Sequence, residues 1–96
     1  MKIIPLTQGK VACVSDVDFD RISQWNWFAR FDKKSGRWYA SRKELKSSSQ
    51  VPMHREILMV TDVNIEVDHV DGDGLNNQRH NLRECTHQQN LTVAVS

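Results

Sequence analysis

The sequence predicts an α+β fold. A small antiparallel sheet with short helices occupies residues 1-60, and a strand–loop–strand–helix unit follows over 61-96, the two forming one compact domain. Three observations carry this. The chain has 96 residues with 39% hydrophobic content, near the lower limit of what buries a self-sufficient core, so one domain is expected. The first half shows apolar residues alternating at strand period, interrupted by turn-forming clusters. The second half packs oxygen-bearing and imidazole side chains between Glu66 and Asn90 far more densely than folding alone requires.

Ile3 to Leu6 and Val11 to Val14 flank a Gln8-Gly9 turn and read as a β-hairpin. Ser15 to Asp18 offers capping residues before Phe19 to Trp25, where Phe19 and Ile22 share a helical face, so a helix of about two turns is expected there. Trp25, Trp27, Ala29 and Phe31 then alternate as a strand. Asp32 to Gly36 makes a hairpin loop, and Trp38, Ala40 and Arg42 resume the period. Large aromatics at strand period favour a core role for Trp25, Trp27 and Trp38 over base stacking. Lys46 to Gln50 reads as a polar connection, and Met53 to Met59 as a short amphipathic helix begun after Pro52.

No apolar run is long enough to cross a membrane, and Met1 to Pro5 is too short for a signal peptide, so a cytoplasmic protein is expected. Cys13 and Cys85 each lie in an apolar, strand-like run, which favours reduced thiols over a disulfide or a four-ligand zinc site. The net charge of +1 conceals an uneven distribution. From Arg30 to Lys46 seven basic residues, among them Arg30, Lys33, Lys34, Arg37, Arg42 and Lys43, face two acidic ones. From residue 47 onward three arginines, Arg55, Arg79 and Arg83, face seven carboxylates. A basic arm able to neutralise phosphates thus adjoins an acidic half able to attract a cation.

Within the dense stretch, Ile65, Val67 and Val70 mark a strand that the Asp71-Gly-Asp-Gly74 loop must end. Those two aspartates read as turn formers, since the later bidentate Glu of a calcium loop is missing. Leu82 to Cys85 returns as a second strand, and Thr86 stands as the N-cap of a helix. Asp68 and His69 at the first strand end, Asn81 before the second and Asn90 in the helix can converge. A carboxylate and an amide oxygen suit a hard divalent cation such as Mg²⁺, and a neutral imidazole beside them can take a proton from water. Those are the parts of a hydrolytic phosphodiesterase site.

The run Val67-Asp-His-Val-Asp-Gly-Asp-Gly-Leu-Asn-Asn-Gln-Arg-His-Asn-Leu-Arg-Glu-Cys-Thr-His-Gln-Gln-Asn90 closely resembles the ββα-metal motif of HNH endonucleases of the phage and intron homing type. The resemblance implies that His69 is the general base, that Asn81 orients its ring, and that Asp68 and Asn90 hold one divalent metal, Mg²⁺ or else Mn²⁺. His87 is the alternative ligand on the helix. Ile4 to Gly9, Phe19-Asp20, Trp25 to Trp27 and Met53 to Arg55 resemble the opening block of the same relatives, which extends the likeness over most of the chain. DNA is the implied partner, with Arg30, Lys33, Lys34, Arg37, Arg42, Lys43, Arg55, Arg79 and Arg83 as candidate contacts and a homodimer as the route to double-strand cutting. His54 is open between touching a phosphate and packing beneath the site. A non-cleaving DNA-binding module and a phage-encoded protein-binding regulator are the alternative functions.

Overall fold

The turn at Gln8-Gly9 sets the first element. The computed structural model describes residues 1–44, 46, 49–62 and 64–86. In it, β1 (Lys2–Pro5) and β2 (Val11–Val14) pair antiparallel, Lys2 opposite Val14 and Pro5 opposite Val11. Gln8 and Gly9 both take positive φ, 60° and 69°, as a tight turn matched to strand twist demands.

The next helix, α1 (Asp16–Ile22), starts ahead of the expected Phe19, with Ser15 at the N-cap position. The Trp27 indole N–H then donates to the Ile22 carbonyl at 2.7 Å, which folds the chain back from the helix end. The following strand, β3 (Phe28–Asp32), therefore begins after both tryptophans rather than at Trp25. It pairs antiparallel with β4 (Arg37–Lys43), Phe28 opposite Ser41 and Asp32 opposite Arg37. A third strand, β5 (Gln50–Pro52), extends this sheet along Ser41 to Lys43. Three residues are too few to register a period in sequence.

Pro52 caps α2 (Met53–Leu58), which ends at Met59 in the left-handed region. Then β6 (Ile65–His69) and β8 (Leu82–Thr86) form the expected antiparallel pair, Ile65 opposite Thr86 and His69 opposite Leu82. Between them lie β7 (Asn76–Asn77) and a single 3₁₀ turn, Arg79–Asn81. The helix expected after Thr86 lies outside the described residues.

The α+β class holds, with eight strands and two short α-helices among the described residues. The strands form three small sheets, and one pairing is parallel: β7 lies beside β2, Cys13 opposite Asn76 and Val14 opposite Asn77. That pairing draws the loop of the second half onto the N-terminal hairpin. Core residues come from both halves: Ile4, Ala12, Val14, Ile22, Trp27, Ala40, Met53, Ile57, Val67 and Leu82 form one buried cluster. Each large aliphatic there contributes roughly 1.5–3 kcal/mol by leaving water.

Candidate active site

The β6–β8 hairpin supplies the site, and its loop is held by side chains rather than by strand pairing. Asp71 accepts the Asp73 backbone N–H at 2.8 Å and the Asn76 amide at 3.0 Å, and Asp73 accepts the Leu75 N–H at 3.0 Å. These are the turn-forming roles expected of the two aspartates. The Asn76 amide first, then the Asp73 N–H and the Asn81 amide, lower the Asp71 carboxyl to about 2. Gly74 closes the loop on β4, where any Cβ would collide with the Trp38 carbonyl and sit 2.6 Å from a Tyr39 ring carbon. Only glycine permits that approach.

Asn81 is buried and binds this loop. Its amide donates to Asp71 Oδ1 at 2.8 Å and to the Asn76 carbonyl at 2.9 Å, and its oxygen accepts the Asp71 N–H at 3.1 Å. Its backbone carbonyl accepts the Val70 N–H at 2.8 Å, next to His69. The expected contact from its side chain to the His69 ring is not made, because all three polar contacts of the amide are committed to the loop. The ring's partner is instead Asn77, whose Oδ1 lies 2.7 Å from Nε2. Sequence reading missed Asn77. Its signal was its place directly after Asn76 in a loop with more amides than turns require.

The His69 ring stands among other rings. His54 meets it edge-on at 4.9 Å between centroids, and Tyr39 lies 5.9 Å away. Of the two readings of His54, the structure supports packing beneath the site. Burial, with smaller effects from His69 and Arg55, lowers its pKa to about 3, and its Nδ1 is buried with no partner among the described residues. It is neutral at physiological pH.

His69 and Asp68 open onto a cleft of about 310 Å³ whose opposite wall is the β3–β4 sheet, with Arg30, Arg37 and Tyr39 facing in. Arg30 and Arg37 lie on one face because Arg30 pairs with Tyr39 and Asp32 with Arg37, so alternate residues of the two strands project together. Lys33 and Lys34 stand exposed at the hairpin turn. Arg83 pairs with Asp68 at 3.4 Å on the exposed flank of the site.

Other basic residues named from the sequence as candidate DNA contacts are engaged within the protein. Arg79 forks onto Asp18, at 2.9 Å for both Nε to Oδ2 and Nη2 to Oδ1, because that carboxylate is 2% exposed and demands a partner. Arg55 donates to the Ile65 and Asp62 carbonyls at 2.6 and 2.8 Å, pinning the entry to β6. Arg42 stacks on Trp25 at 4.3 Å and pairs with Glu56 at 3.4 Å, and it points, with Lys43 nearby, to a second hollow away from the cleft.

The only first-strand metal donor expected, Asp68, is a half-exposed carboxylate among the residues that line the cleft. Asn90 and His87 lie outside the described residues. Among the described residues no three His, Cys, Asp or Glu side chains converge on one point, so Asp68 fits a divalent cation by chemistry and needs a donor from beyond Thr86 to complete a site. Cys13 and Cys85 are free thiols. No helix among the described residues is long and apolar enough to cross a membrane.

No curated protein and no solved structure matches the chain. Residues 61–92 match the family model described as HNH endonuclease, a span that holds Asp68, His69, Asn77, Asn81 and the β6–β8 hairpin. HNH nucleases act on DNA and generally use a divalent metal. With the strand–loop–strand frame and the imidazole on the cleft, this match supports an HNH-type nuclease motif in residues 61–92.

Proposed function

We propose that the protein is a homing-type HNH endonuclease of a phage or its bacterial host, acting in the cytoplasm and hydrolysing DNA phosphodiester bonds with one divalent cation. The observation that carries this reading is that Asp68 and His69 line one side of a cleft and Arg30 and Arg37 the other. In this reading the DNA backbone lies in the cleft and its phosphates meet the two guanidinium groups. His69 takes the proton from a water held in line with the phosphorus, and Asn81 keeps the loop beneath His69 in place.

Asp68 would hold the cation with Asn90, or with His87 in its stead, and Mg²⁺ or Mn²⁺ suits that oxygen-rich set. When bound, such a cation supplies charge neutralisation at the phosphate and at the departing 3′ oxygen. One motif serves one strand, so the expected product on a plasmid is a nick, and paired cuts need a homodimer or two successive visits. Incubation of supercoiled plasmid with the protein and Mg²⁺ or Mn²⁺, beside a chelator control, tests the proposal. Conversion to open circles only when metal is free supports it, and DNA binding without any cutting would make the chain a non-cleaving module.

A further inference from the structure

Asn77 is fully buried, and its side chain has one polar contact among the described residues: Oδ1 at 2.7 Å from His69 Nε2. An amide oxygen only accepts, so Nε2 carries a hydrogen, and in the neutral ring Nδ1 is then the nitrogen with the lone pair. The Asn77 Nδ2 has no partner among the described residues, and a buried N–H left unpaired is a cost to folding. Leucine, of similar size, would carry no such cost, so the amide needs an explanation beyond packing.

The backbone that presents this amide is held in place by the N-terminal hairpin. Asn77 lies beside Val14 in the parallel pairing of β7 with β2, and the Cys13 N–H binds the Leu75 carbonyl at 2.8 Å. His54 and Tyr39 then limit the ring from other sides. The amide thus fixes both which nitrogen bears hydrogen and how the ring is turned.

We infer that Asn77 is the positioning residue of His69, holding Nε2–H so that Nδ1 is the nitrogen that receives the proton from water, and that the N-terminal hairpin serves the nuclease motif by carrying it. The catalytic part rests on His69 being the general base, whereas the hydrogen bond itself does not.

The test separates the two. Full-length ¹⁵N-labelled protein is examined by NMR for a slowly exchanging imidazole N–H, assigned to His69 by its loss in His69→Gln. Free imidazole already favours Nε2–H, so exchange protection of that proton is the readout rather than the tautomer alone. The wild type is expected to show the protected Nε2–H, Asn77→Leu to lose it with an unchanged or raised Tm, and Asn77→Asp, which keeps the acceptor oxygen, to retain it. In plasmid cleavage Asn77→Leu is expected to lower kcat by about 10- to 100-fold at unchanged KM. A ring hydrogen on Nδ1 in the wild type, or full protection in Asn77→Leu, overturns the inference. A protected Nε2–H in a protein that never cuts DNA would leave the hydrogen bond standing and bring down the general-base reading instead.

Discussion

Arg79 reaches across 61 positions of sequence to lay its guanidinium fork on the buried Asp18 carboxylate. The pair ties α1 to the turn that precedes β8, and Arg21 adds a third, longer contact to the same carboxylate at 3.3 Å. Arg79→Ala is expected to destabilise the fold by roughly 2–3 kcal/mol. This falls below the 3–5 kcal/mol typical of a fully buried pair because Arg79 itself is half exposed and Arg21 remains. Urea unfolding measures it. An unchanged midpoint, with weakened DNA binding, would return Arg79 to the role of phosphate contact.

Arg30 and Arg37 face the cleft beside Asp32 and form no close ion pair among the described residues, unlike Arg42 and Arg79. Replacing either by Ala should reduce the slope of log affinity against log salt by about 0.9, the value for one phosphate contact. Arg55→Ala should leave that slope unchanged while lowering stability, since its guanidinium holds backbone carbonyls. Equal slopes for all three variants would show that the cleft wall is not where phosphates bind.

His54 makes the fold sensitive to mild acid. Its pKa is near 3 in the folded protein against 6.5 unfolded, chiefly from burial, so the unfolded chain takes up the proton first. Its contribution is present above pH 6.5 and is lost as pH falls toward 3, by up to about 1.4 kcal/mol per pH unit. Between pH 6.5 and 4.5, above the carboxylate range, His54→Phe should flatten the fall in unfolding free energy. At pH 7 it should be no less stable than the wild type, since the buried, unpartnered Nδ1 is gone. Parallel pH profiles for the two proteins would refute the buried, neutral state of His54.

Gly74 is the contact point between the motif loop and β4. Gly74→Ala should cost roughly 1–3 kcal/mol, as overpacking does, and should displace the loop that carries Asn76 and Asn77. Gly36→Ala is the control: its φ of 69° strains any side chain, yet open space surrounds it. Thermal melts should show loss of stability in both, with cleavage impaired beyond the stability loss only in the first.

Where one turn or one period determined an element, the sequence was readable. Gln8-Gly9, the Asp71 to Gly74 loop and the β6–β8 pair were legible because glycine, aspartate and alternating apolar residues leave few local choices. The edge strand β5 and the two-residue β7 were not, since their existence depends on partners distant in sequence. The same holds for the arginines. A basic residue looks alike in sequence whether its partner is a phosphate or a carboxylate such as Asp18, buried by tertiary packing. His69 and Asp68 were visible from local pattern. The amide at the His69 ring was not, because Asn76, Asn77 and Asn81 all lie in one loop and only the fold decides which faces the imidazole.

The most direct measurement pairs DNA binding with cleavage for His69→Ala on the same plasmid in the presence of Mg²⁺. The account predicts that the variant binds DNA with nearly the affinity of the wild type and fails to nick it, because removal of the imidazole takes away the base and leaves Arg30 and Arg37 untouched. A His69→Ala protein that nicks at the wild-type rate would contradict it.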